Sequence, residues 1–190
     1  MPPRREPGAA PPRPSMVVAI WLAMISVTSL FLALTYAYLY RHGLTTGWLS
    51  GHLAAILSAN TAILIASSLA LHRGGEFFKI RQATAALGWL VTAFILGVLF
   101  LVGQAWAWSV LFAAGVYAGN QPNSGFFFLV TALHAAHLSI ALGLLFWVVS
   151  RVARGRLPAE RPLILQLTAI VWHMLDITWV YLYLVIVLYR

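Results

Sequence analysis

The sequence predicts an all-α, polytopic membrane protein. The expected architecture is a bundle of five transmembrane helices, with the N-terminus inside and the C-terminus outside. Three observations lead there. Of 190 residues, 62% are hydrophobic and 8% charged, with a mean hydropathy of +0.87, whereas a soluble domain carries about 25% charged residues. Five apolar runs are each long enough to cross a hydrocarbon core of about 30 Å at about 1.5 Å per residue. Finally, basic residues gather between alternate runs. The chain has no cysteine, which excludes disulfides, thiolate metal sites and cysteine nucleophiles. A net charge of +8 would suggest a nucleic-acid partner in a soluble protein. Here the basic residues lie mainly outside the apolar runs, so membrane topology explains them better.

Residues 1–15, MPPRREPGAAPPRPS, hold six of the nine prolines and read as a disordered basic tail. The next apolar run is too long for a secretory leader, so it is expected to remain as an uncleaved first span. The five-helix transmembrane domain then occupies 16–190, with spans at about 16–40, 52–72, 83–108, 125–150 and 163–189. None of these runs alternates with a period of two, which argues against membrane strands. In lipid a helix satisfies its own backbone groups. Segment 109–124 is uncharged and turn-rich.

Orientation follows from the Lys/Arg bias. The tail carries Arg4, Arg5 and Arg13, segment 73–82 carries Arg73, Lys79 and Arg81, and segment 151–162 carries Arg151, Arg154, Arg156 and Arg161. With five spans these three segments share one side; only Arg41 and Arg190 fall on the other. Small residues recur every fourth position at Ala54, Ser58, Ala62, Ala66 and Ala70, and at Ala135, Ser139 and Gly143. Such stripes predict close helix contact. The first two spans are expected to pair, and the last three to form a second group with a lipid-holding groove between them.

The fifth run contains VWHMLDITW, with Asp176, the only Asp in the chain, at its centre. A carboxylate there costs about 2.5–3.5 kcal/mol on insertion scales. His173 lies one turn earlier on the same face, and Trp172 and Trp179 flank the pair. The fourth run carries His134 and His137 at the same spacing, with Thr131 one turn before. Three readings of these residues stand: a hydrogen-bonded network that fixes helix packing, a metal site in a helix bundle, or histidine ligation of haem. Asn60 and Gln104 join the polar set. In the network reading, His134 or His137 donates to Asp176. A self-contained proton pump is improbable, because Glu6, Glu76 and Glu160 all lie in the tail or the loops. His42, His52 and His72 sit at span ends, where a partly wet histidine needs no special role. No Walker, Rossmann or HExxH motif occurs.

These residues resemble the subunit III family of haem–copper oxidases, the cytochrome c and quinol oxidases. WHMLDITWVYLYL is similar to that family's W-H-x-x-D-x-x-W signature. FFFLVTALHAAHLSIALG is similar to its F-x-x-T-G-x-H-x-x-H-V-x-x-G pattern. SANTAILIASSLAL and LGWLVTAFILGVLFLVGQAWAW are similar to two further segments, so the likeness runs in order over about 17–190. The chain departs from the family pattern at Ala132, where Gly is usual, and at Ala107 and Val27, where acidic residues are usual.

The resemblance implies a bacterial inner-membrane (plasma-membrane) subunit with no catalytic residues, no metal and no cofactor of its own. Haem and copper would belong to partner subunits I and II of a respiratory oxidase. This subunit would stabilise them, bind phospholipid and support proton uptake during oxygen reduction. The named polar residues would then contact one another, lipid or a neighbouring subunit. Three alternatives accompany this reading: an accessory protein of a nitric oxide reductase, an assembly factor, and a membrane metalloenzyme or b-type cytochrome built on His134, His137, His173 and Asp176. Whether the donor is cytochrome c or quinol does not follow from these residues.

Overall fold

The computed structural model describes residues 14–41, 51–117, 122–157 and 163–188. Among these residues there are five helices and no strand: α1 (Pro14–Arg41), α2 (Gly51–Lys79), α3 (Ala83–Ala113), α4 (Pro122–Ala153) and α5 (Leu163–Leu188). All five are long and apolar enough to cross a membrane, as the hydropathy predicts. Most of the expected tail, His42, the side chain of His52, Arg161 and Arg190 lie outside the described residues.

The largest boundary difference is at α2, which runs past residue 72 to Lys79. Hydropathy marks where the lipid-compatible surface stops, not where the backbone stops being helical. The extra turns carry charge, and Lys79 reaches back to Glu76 at 2.7 Å, one turn away. The helix then stops within three residues. Arg81 takes a left-handed φ of 61°, and the Gln82 N–H donates to the Phe77 carbonyl at 3.0 Å. Glycine serves the same purpose at the end of α3. Gly115 has φ 74°, and the Val116 N–H donates to the Leu111 carbonyl at 3.0 Å.

The core begins with the α2–α3 hairpin, the most extensive helix pair. Buried positions on α3 are Ala86, Leu90, Ala93, Gly97, Phe100, Gln104, Ala107 and Leu111. Those on α2 include Leu53, Leu57, Asn60, Leu64, Ser67, Leu71 and Phe78. Steps of four and three alternate along both helices. That average of about 3.5 residues keeps one seam facing the partner helix, as in a coiled coil. From the hairpin, α3 packs on α4, α4 on α5, and α5 returns to α2, so four helices close a ring. α1 lies outside that ring against α4 and α5. Its seat is a small cluster of Phe31, Val130 and Leu182.

This arrangement corrects two expectations. α1 does not pair with α2, so no groove separates a two-helix group from a three-helix group among the described residues. The small-residue stripes also point largely outward. Ala62, Ala66, Ser139 and Gly143 are exposed, and a Cβ on Gly143 would meet nothing within 4 Å. Close approach occurs elsewhere. A Cβ on Gly97 would lie 2.6 Å from Trp172 Cη2, and one on Gly103 would collide with the Asn60 side chain. In lipid, small residues promote contact only on the face that meets another helix.

Candidate functional site

The polar side chains of the bundle sit mainly at helix crossings, and the longest series joins α2 to α5. Ser58 Oγ and the Tyr183 hydroxyl lie 2.8 Å apart. Trp179 Nε1 donates to Thr61 Oγ1 at 3.1 Å, and that hydroxyl donates in turn to the Leu57 carbonyl at 2.8 Å. Ser68 Oγ and His173 Nδ1 are 2.6 Å apart. Rising residue numbers on one helix meet falling numbers on the other, as an antiparallel pair requires. Each contact satisfies groups that would otherwise face hydrocarbon.

Similar ties join the other helices. Asn60 Nδ2 donates to the Phe100 carbonyl at 3.1 Å and Ser67 Oγ to the Ala93 carbonyl at 2.9 Å, linking α2 to α3. Trp108 Nε1 donates to Thr131 Oγ1 at 3.1 Å, linking α3 to α4, while Thr131 donates to the Phe127 carbonyl at 2.7 Å.

The predicted polar residues therefore divide. Thr131, His173, Trp179 and Asn60 tie helices together. His137 turns onto its own helix, its Nδ1–H donating to the Leu133 carbonyl at 2.7 Å. His134, Gln104, Trp172 Nε1 and both Asp176 oxygens are buried without a hydrogen bond. The expected donation from His134 or His137 to Asp176 is thus absent. His134 is enclosed instead by rings. Trp179 stands 5.0 Å from it, Phe31 6.0 Å and Phe100 6.1 Å, centroid to centroid. The i, i+3 spacing places His134 and Asp176 correctly on their own helices but does not set the relative rotation of α4 and α5. That rotation puts Trp179 against His134.

Asp176 lines a groove of about 420 Å³ together with Ser68 and His173, bordered by Ile65, Leu69, Ile177 and Val180. A second groove of about 470 Å³ runs along α2 and α3, between Ile63, Leu99, Val102 and Trp106, over Asn60 and Gly103. No group of three His, Asp or Glu side chains suited to a metal ion occurs among the described residues.

Ser58, Thr61, Ser67, Ser68, Trp108 and Tyr183 were not singled out as site residues from sequence. The signal was present: hydroxyls at 58, 61 and 68 mirror rings at 183, 179 and 173 in reverse order. Of the two positions where acidic residues are usual in the resembled family, Ala107 is fully buried on the α3 seam. Val27 is half-buried against both apolar clusters.

The pattern of one protein family, described as cytochrome c oxidase subunit III, matches residues 15–190. Cytochrome c oxidase subunit 3 of Corynebacterium diphtheriae is 29% identical over 192 residues, covering 94% of this chain and 90% of the relative. Its counterpart in Thermostichus vulcanus is 27% identical, covering 88% and 84%. Cytochrome bo(3) ubiquinol oxidase subunit 3 of Pseudomonas aeruginosa is 28% identical, covering 90% and 84%.

Proposed function

The chain belongs to the cytochrome c oxidase subunit III family, and from that premise we propose that it is the non-catalytic membrane subunit that steadies subunits I and II of a respiratory haem–copper oxidase. It is a multi-pass protein of the bacterial plasma membrane and part of a terminal-oxidase complex. In the proposed role it also holds phospholipid and sustains proton uptake during oxygen reduction, while haem and copper reside in the partner subunits. Its N-terminus lies inside and its C-terminus outside.

The observation that supports a non-catalytic role is the use made of the polar side chains. His173, Trp179, Thr131 and Asn60 are engaged in ties between helices. His134 is closed in by Phe31, Phe100 and Trp179, without space for a macrocycle beside it. Asp176 lines the groove beside Ser68 and His173, whereas the ring of His134 is packed among aromatic rings. The mainly apolar groove along α2 and α3 suits an acyl chain of the bound phospholipid.

The test is purification of the tagged chain from its own membranes in mild detergent. The oxidase core should accompany it and carry all haem absorbance and copper, and the chain stripped from that core should be colourless. Deleting the chain should shorten sustained oxygen consumption rather than abolish the first turnovers. A Soret band that stays with the isolated chain and disappears with His134→Ala or His173→Ala would replace this reading with a b-type cytochrome.

A further inference from the structure

The α2–α5 seam is regular except at one level. Contacts join 58 to 183, 61 to 179 and 68 to 173. In the same register Asp176 falls opposite Ile65, which has no hydrogen-bonding side chain. Here the helices leave the groove of about 420 Å³, with Ser68, His173 and Asp176 along its inner side. Its rim residues Ile65, Leu69 and Ile177 are 46%, 64% and 65% exposed, so the groove opens toward the membrane. Asp176 itself is only 6% exposed, and both of its oxygens lack a partner.

Nothing described in the chain repairs this. Ser68 stands beside both His173 and Asp176. A serine has one hydroxyl proton, so even if turned to Asp176 it leaves the second oxygen bare. Thr178 donates to the Met174 carbonyl, and the Trp179 indole to Thr61. Among the described residues no second donor stands beside Asp176, and the groove is the side from which one can enter.

We propose that this groove seats a transmembrane helix of a core oxidase subunit, which presents a hydroxyl, amide or indole donor to Asp176. This rests on the subunit III reading above and specifies where the complex is joined. Depth selects the occupant. Asp176 is near the middle of α5 (Leu163–Leu188), and a hydrocarbon core about 30 Å thick puts the headgroups roughly 15 Å away from its midplane. Phospholipid headgroups do not reach that level, and acyl chains carry no donor. A helix does both: it fills the space between the rim side chains, and it carries polar side chains at any depth, where they bond across an interface. Seating requires the Asp176 side chain to turn toward the groove that it lines.

The exposed rim allows a direct test in membranes holding the whole oxidase. A photo-cross-linking amino acid is placed at Ile177, and at Ile140 of α4 as a control, which is 74% exposed. Ile177 should capture a core subunit several-fold more than Ile140 does. Asp176→Asn, which keeps an acceptor, should preserve that capture, and Asp176→Leu should lose it. Capture at Ile177 of lipid alone, of quinone or of a second copy of the chain would overturn the proposal. So would equal capture at the two positions while the chain still purifies with the oxidase, which leaves the family reading intact. Failure to purify with any oxidase would remove that reading and the seat together.

Discussion

The Trp172 side chain reaches across the helix ring from α5 to Gly97 of α3, and alanine at Gly97 tests how tightly that contact is packed. The new methyl would lie 2.6 Å from Trp172 Cη2 and 3.0 Å from both Trp172 Cζ2 and Leu142 Cδ2. Carbon atoms rest at about 3.5–4.0 Å, so the indole must retreat by roughly 1 Å. It has little room, because Trp172 is fully buried and Leu142 nearly so. Overpacking of this kind costs about 1–3 kcal/mol. The displacement should also reach the next residue, weakening the bond of His173 to Ser68. Gly88→Ala and Gly143→Ala provide the controls, since a Cβ at either meets nothing within 4 Å. On helix propensity alone, they should be neutral or stabilising by up to about 1 kcal/mol. The assay is unfolding of the chain in mixed micelles by increasing SDS, followed by tryptophan fluorescence. Trp172→Phe should cost stability alone but relieve Gly97→Ala when the two are combined, with a coupling of about 0.5–3 kcal/mol. If Gly97→Ala behaves like Gly88→Ala, or if the two costs simply add, the Trp172 indole does not press on Gly97.

Trp179→Phe removes the donor to Thr61 while keeping a ring against His134 and Phe100, and should cost about 0.5–1.5 kcal/mol in the same assay. Gln104→Met exchanges a buried, unbonded amide for an apolar chain of similar shape and should be neutral or stabilising; a loss of about 1 kcal/mol or more would show that the amide has a partner. A reporter fused at the C-terminus should be external, and one placed in 151–162 cytoplasmic, because ten of the twelve basic residues fall in the segments assigned inside. The opposite result at either site would reverse the orientation.

The five spans were legible because hydropathy reports lipid compatibility directly. The neighbour relation of α4 and α5 was legible from the short segment between them. Helix rotation was not, for a reason particular to lipid. Both the buried and the lipid-facing sides of α3 are apolar, so the steps through Ala86, Leu90, Ala93 and Gly97 stand out only once the structure shows which side is covered. The same ambiguity made Ala62 and Ala66 look like a contact face when Leu57, Thr61 and Leu64 occupy it. Asp176 was conspicuous as a carboxylate in a span, but its surroundings depend on α2, more than a hundred residues away in sequence.

The position of α1 has a consequence for biosynthesis. It emerges from the ribosome before α2, yet its seat is formed by Val130 of α4 and Leu182 of α5, which emerge after the α2–α3 hairpin. Until then α1 has only lipid, or the insertion machinery, for company. The α2–α3 hairpin, by contrast, can zip as soon as its three-residue turn has been made. On that order of contacts the α2–α3 hairpin would form before α1 docks. A nascent chain arrested after α3 should resist protease across the hairpin while α1 remains separable from it. Release of α5 would then be the event that docks α1.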